Sequence, residues 1–156
     1  MYLFILFLFT YEEPMAVKPG DPILPITVLN MQQETINLPD IMASSMCFIL
    51  SLDCRFCTDA LSVIKTTFSK NHHTIILFND PWQEVKQFLK QEKSPENVGI
   101  FVVDHRKLTP YKITTLPALL AYYKSKLRLG YYGPIDLERA KMIDNAYFHG
   151  LAQHDH

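Results

Sequence analysis

This sequence predicts an α/β fold: a central mixed β-sheet flanked by helices, with a small hairpin added at its N-terminal side. Three observations carry that prediction. Short apolar or β-branched runs at 46–52, 74–78 and 98–103 alternate with stretches whose apolar residues recur at helical spacing. Two further strand pairs, at 26–38 and 118–132, are interrupted by polar turns and read as hairpins, so antiparallel strands border the parallel ones. The chain has 156 residues, 48% of them hydrophobic, enough for one ordinary domain with a core and too few for two.

Taken in order, Gly20-Asp21-Pro22 punctuates the entry into the domain. Residues 26–29 and 35–38 form two short strands around the polar stretch Asn30 to Glu34, and 38–42 has room for one helical turn. The run from Cys47 to Leu52 is a buried strand. The helix after it places Leu61, Ile64 and Phe68 on one face, with Lys65, Ser69 and Lys70 toward water. Residues 74–78 are a β-branched strand, after which Asn79-Asp80-Pro81 supplies a cap and a first-turn proline for a helix through Trp82, Val85, Phe88 and Leu89. A third buried strand at 98–103 leads through an irregular connection, 104–113, to Pro117. The hairpin of 118–123 and 127–132 follows. Gly133-Pro134 then opens a closing helix whose stripe is Leu137, Ala140, Ile143, Tyr147 and Leu151.

The formal net charge of −1, from 15 basic and 16 acidic residues, gives no overall electrostatic reason to bind nucleic acid or an anionic membrane surface. Three cysteines are too few for a disulfide-stapled scaffold, so a disulfide here belongs to chemistry more than to stability. Cys47, inside an apolar strand, reads as a small core residue. Residues 1–9 are continuously apolar, shorter than the roughly 20 residues of a spanning helix and without the positive start of a secretory signal. Residues 1–18 are therefore read as an apolar leader or truncated membrane anchor, residues 19–156 as the folded domain. The expected location is extracytoplasmic, with membrane association through the leader.

Cys54-Arg55-Phe56-Cys57 is the chemically informative stretch. Two thiols three positions apart at a helix start lie on one face within bridging distance, and the amide dipoles there favour a thiolate. This is equipment for thiol-disulfide exchange. Cys54, nearer the helix beginning and solvent, is expected to attack, and Cys57, deeper, to resolve the mixed disulfide.

The ordered set of Gly20-Asp21-Pro22 with its hairpin, the strand ending in Leu52-Asp53, the cysteine pair, Thr115-Leu116-Pro117-Ala118 before a second hairpin, and the final helix resembles the thioredoxin superfamily. Within it, the similarity is to the redoxin branch of TlpA-type thiol-disulfide oxidoreductases, over residues 19–153. The resemblance implies a thioredoxin-like fold, a cis-proline at Pro117 beside the disulfide, and a Leu116 backbone that pairs with an extended substrate. It implies no cofactor beyond the Cys54–Cys57 pair, no metal, a protein dithiol or disulfide as substrate, and a redox partner protein. Arg55, Phe56, Leu116 and Pro117 are the expected substrate contacts, and reduction is the direction by analogy.

The chain departs from the family pattern in two places. Asp53 stands where an aromatic residue is common and Phe56 where proline is frequent. Arg55 and the helix start would lower the Cys54 pKa while Asp53 would raise it. The strand before the pair also lacks a carboxylate for proton transfer, since Phe48, Ile49 and Leu50 occupy it, leaving water or another side chain to do so.

Three other readings compete with this one. A peroxiredoxin frame aligned on Cys54 finds Ser51 for its threonine but Cys47 for its proline. A zinc site from the pair with His72 or His73 lacks ligand spacing. A non-catalytic binding module would use Tyr122, Tyr123, Tyr131 and Tyr132 around the late hairpin turn. His149, His154 and His156 near the chain end, and His105 between Asp104 and Arg106, read as solvated, and Trp82 as cover for the sheet.

Overall fold

The computed structural model describes residues 16–152. The apolar stretch 1–9 and the histidines at 154 and 156 lie outside the described residues. Seven strands form one sheet: β1 Thr27–Asn30, β2 Thr35–Asn37, β3 Ser45–Leu50, β4 Thr74–Phe78, β5 Val98–Val102, β6 Ala118–Tyr123 and β7 Lys126–Tyr132. Their order across the sheet is β2-β1-β5-β4-β3-β6-β7. β3, β4 and β5 run parallel, while β1 pairs antiparallel with β5, and β6 with β3. The sheet is mixed, and each border is a hairpin.

Alternation along the central strands divides the core in two. Met46, Phe48 and Leu50 of β3, with Ile76 and Phe78 of β4, face one layer. That layer is built by α1 (Arg55–Val63), α3 (Trp82–Gln91) and α5 (Leu137–Ala152), which contribute Ala60, Val85, Ala140, Ile143 and Tyr147 among others. Cys47 and Ile49, with Ile75 and Leu77, face the other layer. There Ile23, Leu24, Leu38, Met42, Leu108 and Ile113 cover the sheet from loops and short turns. Cys47 therefore lies on the opposite side of the sheet from the helix of the cysteine pair.

Several elements depart from the sequence reading. The helix after the pair is not uniform: α1 runs into a π-helical segment, Ile64–Phe68, and closes as α2, Ser69–Asn71. The apolar spacing of Leu61, Ile64 and Phe68 fits both geometries, so it carries no signal for the wider turn. The connection before Pro117 holds a short helix, α4 (His105–Leu108), and a 3-10 turn, Thr109–Tyr111. α5 starts at Leu137, three residues beyond Pro134, because Asp136 accepts the Arg139 N–H at 2.7 Å and sets the helix start there. The β6–β7 turn consists of Lys124 and Ser125, with φ of 50° and 61°, the signature of a type I′ turn. Lys126 thus belongs to β7.

Candidate active site

β3 delivers the chain to the carboxyl end of the sheet, and the polypeptide turns there into α1. Cys54 is the N-cap of α1 and has extended backbone, with no side chain capping the first turn. The pair thus sits at the positive end of the α1 dipole, an environment that favours a thiolate. Cys54 and Cys57 form a disulfide, their Cα atoms 5.2 Å apart. The two sulfurs differ in exposure: Cys57 is 3% exposed and packs in the core, while Cys54 is half-buried at the surface. Ser51, the residue after β3, donates its N–H to Cys57 Sγ at 3.5 Å. The inner sulfur is thus held from the strand side.

The Leu116–Pro117 peptide is cis and stands against the pair. The carbonyl oxygen of Leu116 lies 3.6 Å from Cys54 Sγ. Pro117 is buried, and its carbonyl accepts the Gly133 N–H at 2.9 Å, which ties the loop to the end of β7. Of the other expected substrate contacts, Arg55 is exposed and Phe56 is 49% exposed, both on the first turn of α1. An apolar ring beside the outer sulfur and a carbonyl across from it form an open mouth.

Asp80 is the residue whose role the sequence reading missed. Expected as a cap for α3, it does not cap: Pro81 is the N-cap, and the Asp80 carboxylate turns away. It accepts the Leu52 N–H at 2.9 Å and the Ser51 hydroxyl at 3.1 Å, across 28 and 29 residues of chain. Burial raises its carboxyl above the ordinary range, those two donors oppose the rise, and the charge of Asp53 adds to it. A carboxylate from just beyond β4 therefore holds the Ser51–Leu52 turn that leads into the pair. Nothing local distinguishes it, since Asn79-Asp80-Pro81 is an ordinary helix-start sequence.

The remaining candidates fall elsewhere. His72 pairs with Asp144 and stacks edge-on against Tyr147 near the end of the sheet opposite the cysteines. Asp104 is bound by Arg106 at 2.6 Å, which with a capping N–H holds its carboxyl well below the usual range. His105 beside them is exposed. Trp82 donates its indole N–H to the Asn30 carbonyl at 3.1 Å, a packing role. Tyr122 is fully buried, whereas Tyr132 is 39% exposed.

No protein-family model matches the chain, and no curated protein matches its sequence. Solved structures do. A thio-disulfide isomerase from Thermus thermophilus matches with a TM-score of 0.65 at 13% identity, over 85% of this chain and 96% of its own. A secreted Mycobacterium tuberculosis disulfide oxidoreductase, homologous to E. coli DsbE, matches at 0.61 and 11%, over 81% and 96%. The fold is thioredoxin-like. An exposed lipoprotein thioredoxin from Streptococcus pneumoniae matches at 0.56 and 14%, over 78% and 96%. The thioredoxin-like domain of this chain thus spans nearly the full length of each of these structures, with sequence identity too low to carry more than the fold.

Proposed function

We propose that the protein is a thiol-disulfide oxidoreductase that exchanges electrons with protein disulfides, in the reductive direction. The observation that carries this reading is the disulfide at the mouth of α1, one sulfur accessible and one enclosed, with the Leu116 carbonyl facing the accessible one. In the reaction, the Cys54 thiolate attacks one sulfur of a substrate disulfide R–S–S–R′. The substrate bond breaks, and R′–S⁻ leaves and takes a proton. Cys57, as thiolate, then attacks Cys54 Sγ, closing the Cys54–Cys57 bond and expelling R–S⁻, which takes the second proton. Two electrons pass from the pair to the substrate, and a redox partner protein restores the dithiol. Leu116 and Pro117 line the substrate backbone, and Arg55 and Phe56 meet its side chains.

The proposed site of action is extracytoplasmic, with residues 1–18 as a membrane-targeting or anchoring segment ahead of a thioredoxin-like domain of residues 19–156. The apolar run 1–9 supports this, as does the likeness to a secreted oxidoreductase and an exposed lipoprotein. Among the described residues, no helix is long and apolar enough to cross a membrane.

The deciding experiment is a redox titration of the pair against glutathione buffers, read by thiol labelling. A single two-electron transition confined to Cys54 and Cys57 is the expected result. A pair that never interconverts between dithiol and disulfide at any accessible poise rejects the reading.

A further inference from the structure

Ser51 makes contact with both cysteines. Its backbone N–H points to Cys57 Sγ at 3.5 Å, and its carbonyl accepts the Cys54 N–H at 3.2 Å. Its hydroxyl accepts the Asp53 N–H at 3.4 Å and donates to Asp80 at 3.1 Å. Asp80 brackets this turn from outside with both carboxylate oxygens: Oδ1 takes the Ser51 hydroxyl, and Oδ2 takes the Leu52 N–H at 2.9 Å. The grip spans two strands.

The Ser51 N–H carries weight because of where Cys57 lies. That sulfur is enclosed among apolar residues of the helical layer, and among the described residues the Ser51 amide gives it its one hydrogen bond. Apolar burial disfavours a thiolate, so this amide bears directly on the step in which Cys57 must ionise. A carboxylate suits the task of aiming it, since two acceptor oxygens meet two donors, where an asparagine side chain has one acceptor and alanine none. Without Asp80, the half-buried Ser51 hydroxyl and Leu52 N–H must turn toward other partners. On its open side Asp80 shares a cleft with Asp104, His105, Arg106 and Lys107. Arg106 sits on Asp104 and Lys107 on the carbonyl of Thr27, which leaves the carboxylate to the turn.

We propose that Asp80 is a positioning residue for the resolving step: by gripping the Ser51–Leu52 turn it aims the Ser51 amide at Cys57 and so favours the Cys57 thiolate. This rests on the oxidoreductase reading and adds to it a residue that acts on the inner sulfur through another.

Oxidation of the reduced full-length protein by dithiobis(nitrobenzoate) separates the two steps. The Cys54 thiolate attacks the reagent disulfide and releases one coloured thiolate; the Cys57 thiolate then attacks Cys54 Sγ, closes the Cys54–Cys57 bond and releases the second. Two electrons leave the pair, and the reagent is reduced to two thiolates. The reagent is raised until the second phase no longer depends on its concentration, and wild type is compared with Asp80→Ala across a pH series. The first phase is unchanged. At neutral pH the second slows about three-fold, because the thiolate fraction falls about ten-fold and the more basic sulfur regains about three-fold in nucleophilicity. The midpoint of the second phase's pH profile moves up, whereas loss of a negative charge alone would move it down. Asp80→Asn, which keeps the volume and one acceptor, shows the same changes in smaller degree and decides the matter if the alanine variant does not fold. An unchanged or lowered midpoint overturns the proposal, as does equal slowing of both phases. If the wild type never releases the second thiolate, the oxidoreductase reading itself fails, an outcome separate from resolution that ignores Asp80.

Discussion

Ser51 donates its backbone N–H to Sγ of Cys57, so the strand that ends at the site also holds the inner sulfur. An N–H aimed at sulfur favours the thiolate, and in the reduced protein this amide stabilises the form of Cys57 that resolves the mixed disulfide. Cys57→Ser is therefore expected to accumulate a mixed disulfide through Cys54, and Cys54→Ser to fall to the rate of uncatalysed exchange. Mass spectrometry of the trapped species checks both. A Cys54→Ser variant that kept full turnover would reverse the two assignments.

Cys47 should be chemically silent while the protein is folded. It is 1% exposed, and burial pushes its thiol far above the ordinary range, so no thiolate forms to react. Reduced native protein should take up alkylating reagent at Cys54 and not at Cys47, and denatured protein at all three cysteines. Labelling followed by peptide mapping gives the answer.

Asp80 makes stability depend on pH with a sign opposite to that of an ion-paired carboxylate. Its folded pKa lies above the unfolded value, so in the window between the two the native state binds more protons than the unfolded chain. The contribution of Asp80 is then greatest below the ordinary carboxylate pKa and declines as pH rises from about 4 through the raised value. Asp80→Asn should flatten that decline. Urea unfolding at several pH values measures it, and a wild type no more pH-sensitive than the variant in this window contradicts the assignment.

Phe48 is fully buried, its ring 5.1 Å from that of Phe68, at the contact between β3 and the helix carrying the pair. Phe48→Ala should cost about 3–5 kcal/mol, from lost apolar transfer plus the cavity left behind. A loss below about 1 kcal/mol in urea unfolding would mean that the layer collapses to fill the gap.

The features legible in the sequence are those written in local pattern. Cys54 and Cys57, the apolar β3 and β4 and the stripe of α5 each announce themselves within a few residues. What escaped depends on partners distant in the chain. Asp80 sits in a sequence that reads as a helix cap, and only the pairing of β3 beside β4 brings Ser51 and Leu52 close enough to compete for its carboxylate. The first hairpin was legible as a hairpin, but its antiparallel seat on β5 through Leu29 and Val102 was not. The π-helical turn at Ile64–Phe68 leaves the apolar spacing unchanged, and so had no sequence mark at all.

The two rims of the sheet bear on how the protein behaves when crowded. At one rim β2 is three residues long. At the other, the entering chain lies over the start of β7: Gly20, at φ +93°, donates to Leu127 and Asp21 accepts from it, with Pro22 bridged to Lys126. A second molecule adding an eighth strand thus finds only the short β2 at one rim and, at the other, a β7 whose start at Leu127 is already paired, where the charges of Lys126 and Arg128 repel a copy approaching in register. The short segment that leads into the domain also works against fibre growth.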